Sequence, residues 1–169
     1  MGYLRRLLVG GIGALALVGA GTVAVGASDS TLIEFNSMTP VTGAAVGAVN
    51  DRGIKGGGLA WAITSGSGQV DRQGNLEVQV TGLTIPALGK NPLANFSATV
   101  SCLTPHGVVN VTTGLFPASV PGGDSTINAK VALPHPCKDP LVFVGTTNAT
   151  TGAFAWFAMS NGEGDEGDH

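Results

Sequence analysis

Asn75-Leu76-Glu77-Val78-Gln79-Val80-Thr81-Gly82-Leu83-Thr84-Ile85 is the stretch that decides the fold. Leu76, Val78 and Val80 fall on one side of an extended chain, and Glu77, Gln79 and Thr81 on the other. This period of two is the mark of a strand with one face in a core and one in water. Gly74-Asn75 before it signals a turn, and Gly82 within it signals a bend.

Outward from that stretch the pattern repeats. Phe96, Ala98, Val100 and Cys102 alternate with Ser97, Thr99 and Ser101, which predicts a second strand with one dry face and turns Cys102 inward. Val109 and Val111 continue the scheme after a Pro105-His106-Gly107 turn. Ile127, Ala129, Val131 and Leu133 alternate with the polar Asn128 and Lys130. Leu59 to Thr64 reads as a further short strand, and Ser65-Gly66-Ser67-Gly68 as a hairpin loop. No stretch sustains a 3.6-residue apolar period. Short strands separated by turn signals predict an all-β domain, an antiparallel β-sandwich of Greek-key, immunoglobulin-like or jelly-roll-like type.

Two C-terminal stretches differ. Leu141-Val142-Phe143-Val144 and Ala153-Phe154-Ala155-Trp156-Phe157-Ala158-Met159 are apolar on both faces. Such strands are buried on both sides or lie at an interface. The expected cover is the segment 28–57, whose isolated apolar residues (Phe35, Met38, Val41, Val46, Ile54) otherwise have nothing to pack against. The alternative is a second copy, giving self-association through 141–144 and 153–159.

The N-terminus carries its own signal. Arg5 and Arg6 precede an uncharged run of Leu, Val, Ala and Gly from Leu7 to Ala27, which ends in Val25-Gly26-Ala27. That is the pattern of a secretory signal peptide over residues 1–27. Its densest apolar part, Ile12 to Val18, is short for a membrane span. The remaining 28–169 suit one domain over 28–160, followed by an acidic, disordered tail over 161–169. Six of the eight bases against all eleven acids leave this part at −5. No basic surface for nucleic acid is present, and no membrane contact is expected after the leader is cleaved.

Cys102 and Cys137 are the only cysteines. In an oxidising compartment an even pair without CxxC spacing reads as a disulfide. A secreted, extracellular or cell-surface location follows from these signals together.

Several phrases run through the mature part: Phe35-Asn36-Ser37-Met38-Thr39-Pro40, Gly56-Gly57-Gly58-Leu59-Ala60-Trp61, Phe96 to Leu103, Phe116-Pro117-Ala118, Leu133-Pro134-His135-Pro136-Cys137 and Trp156-Phe157-Ala158. Together they resemble a family of small secreted proteins of actinobacterial type with no characterised activity. The resemblance implies export and the cysteine pair. It brings no cofactor or catalytic residue.

Candidate chemistry is sparse. His106 lies four residues after Cys102 and His135 two before Cys137, so a disulfide would bring both to one edge of the sandwich. A two-histidine Zn²⁺ or Cu²⁺ site is the metal candidate there, against two exposed turn histidines beside prolines. The third histidine, His169, sits in the tail. No serine has the spaced glycines of a nucleophile elbow. Asp51, Asp71, Asp124 and Asp139 are scattered in turn contexts, and no carboxylate pair is marked. The tail acids lack the glycine and terminal glutamate of a calcium loop. Trp61, Trp156 and the phenylalanines at strand positions are expected in the core. The sequons at Asn95, Asn110 and Asn148 matter only in a eukaryotic secretory path.

The expected function is a non-enzymatic extracellular binding or envelope-associated module, with no cofactor and no catalytic residues. A secreted hydrolase with an unmarked site and a matrix or coat component are the competing readings.

Overall fold

The computed structural model describes residues 30–162. The segment read as a leader, 1–27, and most of the acidic tail, 163–169 with His169, lie outside the described residues. The chain forms two packed antiparallel sheets with no α-helix among the described residues. The first sheet has four strands, β1 (Thr31–Phe35), β4 (Ser65–Asp71), β5 (Asn75–Thr81) and β9 (Ser125–Lys130), in the order β1-β4-β5-β9. The second runs β2 (Met38–Pro40), β11 (Phe154–Ser160), β10 (Lys138–Thr147), β6 (Asn95–Thr104), β7 (Gly107–Thr112). Two short strands complete it: β3 (Lys55–Gly56), parallel to β11, and β8 (Phe116–Pro117), on β6.

The inner faces are those that the alternation predicts. Leu76, Val78 and Val80 of β5 are buried, while Glu77 and Gln79 are exposed. Phe96, Ala98, Val100 and Cys102 of β6 are fully buried and pack in the same core cluster. Their partners across the ladder, Val142 opposite Val100 and Val144 opposite Ala98, share that side. At one end of the core Trp61 stacks on Phe157, with centroids 4.0 Å apart, and Phe96 meets both rings edge-on. A bulge in β11 makes this possible: Ala158 pairs with Val144 and Trp156 with Gly145, so Phe157 is the extra residue. The expected disulfide is present and joins Cys102 of β6 to Cys137, just before β10, with Cα atoms 4.8 Å apart.

Several expectations change. Ser65-Gly66-Ser67-Gly68 is not a loop but the first half of β4. Its inward positions are Gly66 and Gly68, and a Cβ at either would press into Met38 (2.6 Å from Cγ) or the Phe35 ring (2.7 Å from Cζ). The missing apolar side chains of β4 are therefore supplied by its neighbours. Leu59 to Thr64 is not a strand; it makes a single bridge, Ala62 to Thr84, and Leu59 is exposed. The strand starting at Asn75 stops at Thr81, because Gly82 takes a left-handed φ of 62° and donates its N–H to Asp124 Oδ1 at 2.9 Å. Finally, the polar side of β6 is not wet. Ser97, Thr99 and Ser101 are all buried.

That last correction has a structural cause. Val41 donates its N–H to Phe157 O, and β3 pairs with β11 at one edge of the second sheet. Between those points the chain reaches Asn110 of β7, whose Nδ2 donates to Arg52 O at 2.9 Å, and β10, where Arg52 Nη2 donates to Asp139 O at 3.0 Å. The segment 41–57 therefore crosses the outer face of the second sheet from edge to edge. It covers Phe143 and Trp156, which meet edge-on at 5.8 Å. This is the cover expected of the N-terminal region. Asn161, assigned to the tail, is held instead: its N–H donates to Ser37 O at 3.1 Å, and its Oδ1 accepts from Thr39 Oγ1.

Candidate functional site

With one sheet face in the core and the outer face of the second sheet covered, the broad open surface is the outer face of the first sheet. Register decides what that face presents. Glu34 of β1 pairs with Gln69 of β4, Gln69 with Glu77 of β5, and Glu77 with Asn128 of β9. Residues paired across a ladder point to the same side, so these four exposed side chains form one row across the sheet. At the ordinary strand spacing the row is about 14 Å long. One step along, Ser67, Gln79 and Thr126 form a second exposed row.

At the end of the sheet Asp71 closes the β4–β5 hairpin. Gly74, with φ 85°, donates its N–H to Asp71 O at 2.9 Å, as a tight turn with a left-handed glycine requires. Asp71 Oδ2 accepts from Asn75 Nδ2 at 2.5 Å and Oδ1 from Asn75 N at 2.8 Å, while Lys130 Nζ donates to Asn75 Oδ1 at 3.1 Å. The Asn75 side-chain hydrogen bond holds the Asp71 carboxyl below its ordinary value of 3.8. The backbone N–H groups of Asn75 and Gln73 and the Lys130 charge add to this, and together they outweigh the desolvation that opposes it. A shallow concavity of about 350 Å³ lies here, bordered by Ser30, Thr31, Gln69, Asp71, Glu77 and Asn128.

The surface offers amide donors, carboxylate and amide acceptors and hydroxyls, with no aromatic ring. Chemically it can hydrogen-bond a polar ligand along two rows. Among the described residues no serine, histidine and acid are joined in a relay. Ser119 Oγ bonds Asp124, but this closes the Ser119–Asp124 turn, where Asp124 N also donates to Ser119 Oγ.

The residues singled out from sequence fall as follows. Cys102 and Cys137 are bonded. His106 sits in the β6–β7 turn and His135 in the loop before β10, both exposed. Lys138 pairs with Leu103 and Thr104 with Gly107, so both histidines lie at the same end of the second sheet. No group of three or more His, Cys, Asp or Glu able to hold a metal gathers among the described residues. Trp61, Phe96, Phe143, Trp156 and Phe157 are core residues. The outer rows carried no signal in the sequence, because only strand pairing brings Glu34, Gln69, Glu77 and Asn128 into line.

No known protein family, curated protein or solved structure matches the chain.

Proposed function

We infer that this chain is an exported, non-enzymatic β-sandwich of the extracellular space or cell envelope, and that it binds a polar polymer along the outer face of its first sheet. The observation that carries the reading is the row Glu34–Gln69–Glu77–Asn128, four hydrogen-bonding side chains in register across four strands. The leader pattern, the disulfide and the resemblance to small secreted actinobacterial proteins support the location. A flat surface with spaced donors and acceptors and no stacking ring suits a hydroxyl- and amide-bearing chain, such as a glycan of the envelope. Recognition then rests on hydrogen bonds, each contributing about 1 kcal/mol net. Self-association belongs to the same reading through the half-buried Leu141, Phe154, Ala155 and Met159, since the rest of those two strands is filled by the chain itself.

The test is residue-resolved NMR of residues 28–169, titrated with soluble chitooligosaccharides, mannooligosaccharides and a muramidase digest of peptidoglycan. Shift changes confined to the two outer rows, with about thirtyfold weaker binding in Gln69→Ala/Asn128→Ala, are expected. No shifts at millimolar ligand with any of the three, or shifts centred on the second sheet, would overturn the assignment of the face. Sedimentation of the same protein tests self-association, and a strict monomer removes it.

A further inference from the structure

The covered face of the second sheet holds three fully enclosed polar atoms without partners among the described residues, Arg52 Nη1, Ser101 Oγ and Trp156 Nε1. Arg52 is 8 % exposed and Ser101 0 %. Backbone parity places Ser101 on the covered side, because Val100 and Cys102 on either side of it are core residues. Strand pairing then places Arg52 over it. Asn110, which bonds the Arg52 carbonyl, is the β7 partner of Ser101. Leu141, two residues after the Asp139 that accepts from Arg52 Nη2, is its β10 partner. The Arg52 side chain thus runs from β7 towards β10, over the strand that carries Ser101. The third, Trp156 Nε1, belongs to a residue whose backbone is level with Ser97, four residues along β6.

Arg52 is fixed in place by its own turn. Asn50 Oδ1 accepts from Arg52 N at 3.0 Å and from Ile54 N at 2.9 Å, and Gly53, with φ 72°, completes the turn. The guanidinium bonds a carbonyl of Asp139 rather than its carboxylate. The exposed Asp51 and Asp139 form no ion pair with Arg52 among the described residues. A guanidinium cannot shed its proton, and a buried charge without a counter-charge is among the costliest arrangements in a protein.

We propose that Arg52 Nη1 and Ser101 Oγ hold one small inorganic anion, a halide such as chloride, beneath the 41–57 segment. Both groups supply an N–H or O–H donor, and the halide accepts both while neutralising the charge. Water would meet the hydrogen bonds and leave the charge uncompensated. An oxyanion presents more acceptor atoms than two donors can serve.

The test uses residues 28–169 with the disulfide intact. Crystals soaked in sodium bromide are expected to show an anomalous peak in hydrogen-bond contact with Arg52 Nη1 and Ser101 Oγ. In solution at constant ionic strength, replacing gluconate, a bulky organic anion, by chloride is expected to stabilise the fold by saturable mass action. The unfolding constant falls about tenfold at a chloride concentration nine times Kd. Ser101→Ala is expected to weaken that dependence, and Arg52→Met to abolish it. Absence of a bromide peak at this place, or equal stability of the wild type in chloride and gluconate, overturns the proposal even if Arg52→Met does not fold.

Discussion

Reducing the Cys102–Cys137 bridge leaves both sulfur atoms in the protein and removes only the covalent link. The link closes a loop across a sequence separation of 35. In the chain-entropy account a loop of that length restricts the unfolded state by roughly 3.5–4 kcal/mol. For a domain of about 140 residues the unfolding entropy at the midpoint is about 0.29 kcal/mol/K, so the thermal midpoint is expected to fall by about 13 °C. In urea, with a slope near 2 kcal/mol/M, the same loss moves the midpoint down by about 2 M. The assay is equilibrium urea unfolding of residues 28–169, oxidised and fully reduced, with both thiols confirmed by titration under denaturing conditions. The slope is expected to rise on reduction, because the uncrosslinked unfolded chain exposes more surface. Cys102→Ala/Cys137→Ala should lose a further fraction, since Cys102 is fully buried and its sulfur fills core volume. A reduced protein whose midpoint lies within about 0.3 M of the oxidised one would refute the reasoning. It would mean that the two turns are held by the sheets alone, or that the unfolded chain is already compact there.

Other perturbations test the rest of the fold. Phe157→Ala removes the ring stacked on Trp61 and met by Phe96, and is expected to cost about 3–5 kcal/mol in urea unfolding. Gly145→Ala would put a Cβ 2.8 Å from Trp156 Cα at the β11 bulge. It is expected to destabilise by more than about 1 kcal/mol, with amide shift changes centred on β10 and β11 in NMR spectra. Asp71 titrates below the ordinary carboxylate range. Its depressed folded-state pKa means that its contribution is complete above the unfolded value and is lost as pH falls through the folded one. Carboxyl NMR titration should show Asp71 moving back up in Asn75→Ala; an unchanged titration there would show that the side-chain hydrogen bond is not the main cause.

What the sequence made legible was what alternation records. In β5 each inward residue is apolar and each outward one polar, so one strand's parity was enough to assign both faces. The cysteine pair followed from an even count without CxxC spacing, and the cover over β10 and β11 from surplus apolar surface. In β4 that logic broke down, because Gly66 and Gly68 give no apolar mark while Phe35 and Met38 fill the space beside them. In β6 the failure was the reverse. Ser97, Thr99 and Ser101 look solvated, yet a loop distant in sequence buries them, with Ser97 bonded to Thr147 and Thr99 to Thr112. Arg52 was invisible for the same reason: nothing local says that a charge in a glycine-rich segment will be enclosed. The row on the first sheet is a product of register between four strands, and register across non-adjacent segments is not written in any one of them.

The strand order carries a consequence in time. β11, the last strand, sits between β10 and β2, and the residue after it is tied to Ser37. The earliest and latest parts of the described chain are thus next-door neighbours, and the 41–57 cover docks on a sheet whose centre comes from the far end of the sequence. A growing chain cannot complete this sandwich until β11 itself has emerged, and before that the strands on either side of it, β10 and β2, have no shared neighbour.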